Sequence, residues 1–394
     1  MQLPKDVYFI LNALQDKGYF SVVVGGAVRD YFRGVELSDY DIATIARPEE
    51  VKSVFKDFKV VPVGLQYGTV MLRYQHKNYE ITTFRKEGAY LDKRHPQEIS
   101  YIKNLKEDLE RRDFTINAIA YSIEGGGKVY DYFDGLTDIK NKIIKAVGIA
   151  EERFDEDALR ILRALRFSAC FSYKIENKTK EAILAKYYLL ANLPKERVQV
   201  ELKKIFLANI SWVIREYKEV FSFLFDGLSD QAIKRYLKCE KKIPKDHLLH
   251  YALLLLDHPK YHEVIEKYKF SKNEKKIIIG IIEHYNLINE KNDLALIRYL
   301  KIIHYDTLLR IFQLKEADGK LRGSSAALNK LITNVHEVGD LKVNGHDLQK
   351  LGLKGAKIKE TLFLLLEMVV SKKLANDKDE IMKYLTIKFN EKKR

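Results

Sequence analysis

Phe20-Ser21-Val22-Val23-Val24-Gly25-Gly26-Ala27-Val28-Arg29-Asp30 is followed closely by Ser38-Asp39-Tyr40-Asp41-Ile42-Ala43-Thr44. The first stretch reads as a hydrophobic strand that turns through two glycines into a helix beginning near Ala27. Bare backbone amides and a helix N-terminus there can receive phosphate, and Arg29 adds charge. The second stretch reads as a strand. Residues two apart on a strand point the same way, so Asp39 and Asp41 would stand side by side as a magnesium pair needs. Each piece alone is weak, because a D-x-D is common on strand ends and a Gly-Gly pair is often only a turn. Their close succession points to nucleotidyl transfer.

Working outward, runs rich in Val, Ile, Tyr and Thr predict strands at 21–24, 39–44, 59–63, 69–74, 79–84 and 128–131. Helices are expected at 4–17, 27–33, 48–55 and 112–120, which makes the first part a compact α+β domain. Glu80 lies on the strand 79–84 and can aim at the same point as Asp39 and Asp41 if the two strands are neighbours. Beyond about residue 150, apolar residues recur at three and four spacing in 155–171, 178–191, 195–208, 245–256 and 273–287, so the rest reads as helical bundles. A late break near Val338-Gly339-Asp340 precedes an Asn344-Gly345 turn, with Asp347 near a helix start.

The 394 residues carry a net charge of +14 and include 24 Tyr and 19 Phe. That combination implies an anionic partner, with nucleic acid ahead of a membrane surface. No apolar run approaches the length of a membrane span and the N-terminus has no signal-peptide core, so a soluble, cytoplasmic protein is expected. Cys170 and Cys239 are too few for a disulfide framework or a thiolate zinc site and read as ordinary buried thiols. His247, His250, His258 and His262 lie near Asp246 and Asp257, but in this run no His is followed directly by Asp. They read as helix-surface histidines rather than as a metal phosphohydrolase centre.

Two further segments carry chemistry. In Glu110-Arg111-Arg112-Asp113-Phe114-Thr115-Ile116-Asn117-Ala118, two arginines at a helix start could reach a triphosphate or sugar, with Asp113 capping or orienting them. In Phe154-Asp155-Glu156-Asp157-Ala158-Leu159-Arg160, Asp157 and Arg160 stand one helical turn apart. A carboxylate beside a guanidinium matches the amino-plus-acceptor edge that cytosine and adenine share and that guanine and uracil lack. Arg163 and Arg166 continue at three-residue steps and could follow the nucleotide toward its phosphates. Taken alone, each segment is also compatible with an ordinary charged helix.

Together these segments resemble the bacterial, class II branch of the CCA-adding tRNA nucleotidyltransferases, in the polymerase β-like superfamily. Gly25 to Asp30 with Asp39-Tyr40-Asp41 resembles the catalytic motif A, and Arg111-Arg112-Asp113-Phe114-Thr115-Ile116-Asn117-Ala118 resembles motif B. Glu156-Asp157-Ala158-Leu159-Arg160 with Arg163 and Arg166 is similar to the amino-acid template of motif D. Arg197-Val198-Gln199-Val200-Glu201-Leu202 is similar to the motif E helix that stabilises the neck. The resemblance implies Mg²⁺ held by Asp39 and Asp41, with Glu80 as the third catalytic carboxylate. It implies that Gly25, Gly26, Arg29, Arg112, Asp157, Arg160, Arg163 and Arg166 contact the incoming CTP or ATP. The segment 85–96 resembles the flexible loop that adapts the pocket from CTP to ATP.

The same resemblance implies a polymerase β-like head at 1–145, a neck at 146–208, a body at 209–335 and a tail at 336–394, arranged as an elongated crescent. Residues 210–330 carry no diagnostic motif. The implied partner is tRNA, bound by its acceptor arm and elbow, with no obligate protein partner. In Tyr132-Phe133-Asp134-Gly135, Asp134 stands where the family often has a second glycine. An A-adding enzyme, a CC-adding enzyme, a poly(A) polymerase and a non-catalytic tRNA-binding protein remain open on sequence.

Overall fold

In the computed structural model, residues 1–37, 39–88 and 99–391 are described. The chain divides into two compact units, Met1–Phe225 and Asp226–Arg394. The strands of the first unit's head are β1 (Ser21–Val24), β2 (Asp41–Thr44), β3 (Lys59–Gly64), β4 (Thr69–Tyr74), β5 (Lys77–Thr83), β6 (Arg85–Glu87), β7 (Ile99–Tyr101), β8 (Ile119–Ser122) and β9 (Lys128–Asp131). Seven make one sheet in the order β3-β4-β5-β2-β1-β8-β9, and β6 pairs with β7 as a separate ribbon. Within the sheet β2 and β5 run parallel and the other neighbours antiparallel.

The central strands β1 and β8 are buried along their whole length. Val22 and Val24 pack with Ala43, Phe84, Leu105, Leu109, Ala118, Ala120 and Val147 in one core. Each fully buried valine there contributes roughly 1.5–3 kcal/mol. The helices α1 (Lys5–Gln15), α2 (Gly26–Phe32) and α3 (Pro48–Val54) pack on the sheet. In α1 the buried Val7, Ile10, Leu11 and Leu14 form the apolar stripe of an amphipathic helix. α4 (Leu105–Glu110) and α5 (Gly135–Asn141) complete the head. They are followed by α6 (Ala150–Glu156), α7 (Leu159–Phe171), α8 (Asn177–Lys186) and α9 (Lys195–Phe206), with α6 against α8 and α7 against α9.

The helix expected at 112–120 is not there. α4 ends at Glu110, Arg111 caps it, a 3₁₀ turn spans Thr115–Asn117, and β8 follows. β8 lies between β1 and β9 with both faces covered, so it has no alternating pattern to distinguish it from a helix. The helix expected at 155–171 is broken at Asp157, which is extended (φ −135°, ψ 101°). Its carboxylate accepts from the Leu159 amide at 3.0 Å, so it starts a new helix instead of continuing the old one. Asp134 takes the left-handed conformation at φ +61°. A side chain on Gly135 would collide with the Thr115 carbonyl, so the glycine serves close approach.

The described residues of the second unit are predominantly helical. Tyr236, Tyr251 and Tyr268 are fully buried in it. His250 and His258 are buried as well, contrary to the surface reading. His250 Nδ1 lies 2.5 Å from the Tyr236 hydroxyl, and burial pushes the imidazole down to about 4. Cys239 is buried as expected, whereas Cys170 is exposed. The Asn344 side chain accepts from the His346 and Asp347 amides, and Asp347 accepts from the Asn344 amide, a reciprocal cap on the helix Gly345–Lys350. No helix among the described residues is long and apolar enough to cross a membrane.

Candidate active site

β1 delivers the chain to Gly25, which sits at φ +68° and caps α2. A Cβ on Gly25 would stand 3.1 Å from Arg112 Nη1, close enough to press on it, and in ordinary contact with Asp41 Oδ2 at 3.9 Å. Asp41 opens β2 and pairs with Val24, the last residue of β1, which places the carboxylate opposite the glycine turn. Asp39 is exposed and precedes the strand, so the pleat does not align the two aspartates as expected. They still sense each other. Burial pushes the Asp41 carboxyl up, Arg112 pulls it down, Asp39 pushes it up and Arg29 pulls it down, with a net position above the ordinary range. Asp41 remains solvent-accessible because it lies on a cavity wall, where crowding by protein removes only part of its water.

Glu80 precedes Ile81, which pairs with Ile42 in the parallel β2–β5 ladder, so Glu80 lies on the same sheet face as Asp41. It is exposed, however, and among the described residues no three His, Cys, Asp or Glu side chains gather where a metal could be held. The three-carboxylate cluster expected from sequence is not assembled among the described residues: Asp39 precedes the strand, and of the three only Asp41 lines the neighbouring cavity.

A cavity of about 640 Å³ opens beside Asp41. Gly25, Gly26, Arg29, Arg112, Asp157, Arg160, Arg163 and Arg166 all line it, whereas Asp39 and Glu80 do not. Eight arginines face it against three aspartates, so it is built for an anion. Arg29 donates to Asn117 Oδ1 at 2.6 Å and to Asp30 at 2.7 Å. Asn117 donates to Asp113 at 2.9 Å, and Asp113 receives Arg163 Nε at 2.7 Å. Burial pushes the Asp113 carboxyl up, but Arg163 and the Asn117 amide outweigh it and hold it below the ordinary range. A continuous chain of hydrogen bonds thus runs from α2 to α7. Arg112 Nε is buried and has no partner among the described residues.

Asp157 and Arg160 both line the cavity, but their side chains do not pair. Arg160 donates to Glu156 at 2.6 Å, to the Arg153 carbonyl at 3.1 Å and to the Arg111 carbonyl at 3.1 Å. Three of its five N–H donors are therefore engaged. Asp157 is steadied by its Leu159 amide and by Arg197, 3.5 Å away.

Asp108 has no role in the sequence motifs, and Glu156 and Arg197 enter there only as members of motifs D and E, not as site residues. Asp108 has no exposed side-chain surface and receives Arg111 Nη2 at 2.8 Å, the Arg85 amide at 3.1 Å and Arg112 Nη2 at 3.4 Å. Its spacing of three and four residues from the two arginines was the available signal. Glu156 stands four residues before Arg160 and was legible in the same way. Arg197 had no such signal, because its approach to Asp157 is tertiary. The loop expected at 85–96 begins in β6, but residues 89–98 lie outside the described residues, as does Ser38.

Fold and cavity together define a nucleotidyltransferase head carried on helical modules. Residues 21–145 match the family described as the poly A polymerase head domain. Residues 172–215 match a probable RNA and SrmB-binding site of polymerase A, and 245–385 a putative tRNA nucleotidyltransferase domain 2. The CCA-adding enzyme of Staphylococcus epidermidis is 33% identical, with 95% of this chain and 96% of that protein covered. The chain belongs to the family of bacterial CCA-adding enzymes. Among solved structures, the Bacillus stearothermophilus CCA-adding enzyme in complex with CTP is similar at TM-score 0.79 and 27% identity, covering 100% of this chain and 99% of that one. The Thermotoga maritima CCA-adding enzyme complexed with tRNA shares the fold at TM-score 0.75 and 20% identity, covering 98% and 96%.

Proposed function

We propose that this chain adds C, C and A to the 3′ end of tRNA from CTP and ATP, without a nucleic acid template, and releases pyrophosphate. The observation that carries this reading is one cavity whose lining brings together a glycine turn, eight arginines, Asp41 and the Asp157 and Arg160 side chains. The arginines neutralise the triphosphate, with Arg112 held beside the glycine turn. Asp157 accepts from the exocyclic amino group of cytosine or adenine. Arg160, held by Glu156, donates its remaining N–H groups to the adjacent ring acceptor.

The donor set fits Mg²⁺. Burial, and after it the charge of Asp39, raise the Asp41 carboxyl, and a hard, oxygen-seeking cation would offset both. Asp39 and Asp41 would hold it, with Glu80 as a further carboxylate on the same sheet face. Bound there, the metal would supply charge for the phosphates and acidify the attacking 3′ hydroxyl. The excess positive charge suits the acceptor arm and elbow of tRNA. The division into head, neck, body and tail and a cytoplasmic location belong to the same proposal.

The test uses three transcripts ending at the discriminator base, after one C and after two, each with Mg²⁺ and single labelled nucleotides. Addition of two C and then one A to the shortest supports the proposal. Growth of only the CC-ended transcript, with ATP alone, replaces it with an A-adding enzyme, and no growth of any leaves tRNA binding alone. Base choice has its own prediction. Glu156→Ala should free Arg160 and lower discrimination against UTP and GTP by roughly 10- to 100-fold in kcat/KM. Unchanged ratios would remove Glu156 from base selection.

A further inference from the structure

The cavity's arginines repel one another, and Arg163 opposes the charge on Arg166 directly. Carboxylates steady them only by occupying N–H groups that a triphosphate would otherwise use. One lining side chain holds them differently. Phe167, on α7, is 5% exposed and has the guanidinium of Arg166 4.3 Å from its ring centroid, with those of Arg29 and Arg163 each at 5.4 Å. Phe171, one turn on, stacks on Phe167 at 5.3 Å and 22° and receives Arg29 at 4.7 Å and Arg33 at 3.7 Å. Phe114 meets Phe167 edge-on at 5.8 Å and 87°, which fixes the ring against the residue that follows Asp113.

We propose that Phe167, backed by Phe171, is a positioning residue for nucleotide binding, an aromatic platform that gathers cations from α2 and α7 around the cavity. A ring face attracts a guanidinium through its quadrupole and engages none of the five N–H donors. The arginines therefore keep their charge and their hydrogen-bonding edges for the triphosphate, which Asp30, Asp113 and Glu201 alone would partly use up. The platform acts on phosphates rather than bases, so its influence should be the same for CTP and ATP. The inference rests on the nucleotide-site reading above.

The experiment places mono-, di- and trifluorophenylalanine at position 167 of the full chain, which weakens the ring quadrupole stepwise at nearly constant volume. KM for CTP and for ATP should rise together along the series, reaching roughly three- to tenfold at three fluorines. The kcat, the thermal midpoint and the preference among the four bases should stay fixed. Phe167→Trp should keep KM near the starting value, and Phe167→Leu should raise it at least as far as trifluorination does. A KM that is flat across the fluorinated series, or that moves for only one of the two nucleotides, overturns the platform. A wild-type protein that adds no nucleotide overturns the nucleotidyl-transfer reading itself, which separates the two failures.

Discussion

Asp41→Asn should lower nucleotide addition by about a thousandfold or more, while tRNA affinity at fixed salt stays within about twofold. The substitution keeps the shape of the side chain at the head of β2, opposite the glycine turn, so the fold has no reason to change. It removes the anionic oxygen that could bind a divalent cation beside the cavity. It also removes one carboxylate from a cavity with eight arginines, which would favour anion binding and work against any loss of nucleotide affinity. A single-turnover assay on a CC-ended transcript with ATP separates these effects. Transfer above about one hundredth of wild type would take Asp41 out of the metal site. The raised Asp41 carboxyl gives a pH signature. A group protonated more readily than usual loses its charge at a pH above the ordinary carboxylate range, so activity at limiting Mg²⁺ should fall on acidification before an exposed aspartate would titrate. Saturating Mg²⁺ competes with the proton and should move that limb to lower pH.

The local parts of this site were legible in the chain, and the tertiary parts were not. The strand Ser21–Val24, the glycine turn and Asp41 follow from β-branching and from the missing Cβ, both properties of a few adjacent residues. Arg163 was expected to follow the phosphates, but its carboxylate, Asp113, comes from a segment fifty residues earlier that no helical spacing connects to it. The strand at Ile119–Ser122 overlaps the end of the helix expected at 112–120, and burial on both its faces removes the alternation that would mark it. The break at Asp157 was missed because aspartate in a helical pattern and aspartate capping a new helix differ only in a backbone angle. Asp39 was paired with Asp41 by the rule for strands, yet the strand begins two residues later. At Asp157 and at Asp39 a local period was extended past the point where packing ended it.

Asp108→Ala should destabilise the first unit by about 3–5 kcal/mol, the cost of leaving buried cations without their counter-charge. Asp108 has no exposed side-chain surface and is the shared acceptor for Arg111 and Arg112, as well as for the amide of Arg85, the first residue of β6. Its burial pushes the carboxyl up, but the charges of Arg111 and Arg112 and the hydrogen bonds outweigh this and hold it below the ordinary range. A depressed folded pKa means that the stabilisation is complete above the unfolded carboxylate range near pH 4 and is lost as pH falls through the lower folded value. Asp108→Asn keeps one acceptor oxygen and the shape without the charge. It should lie between alanine and wild type in urea denaturation at pH 7, and its deficit should shrink as the pH drops below about 4. A deficit that stays constant down to acid pH would mean that packing, and not charge, holds the two arginines. KM for both nucleotides should rise with either substitution, because Arg112 would lose the carboxylate that holds it against the glycine turn.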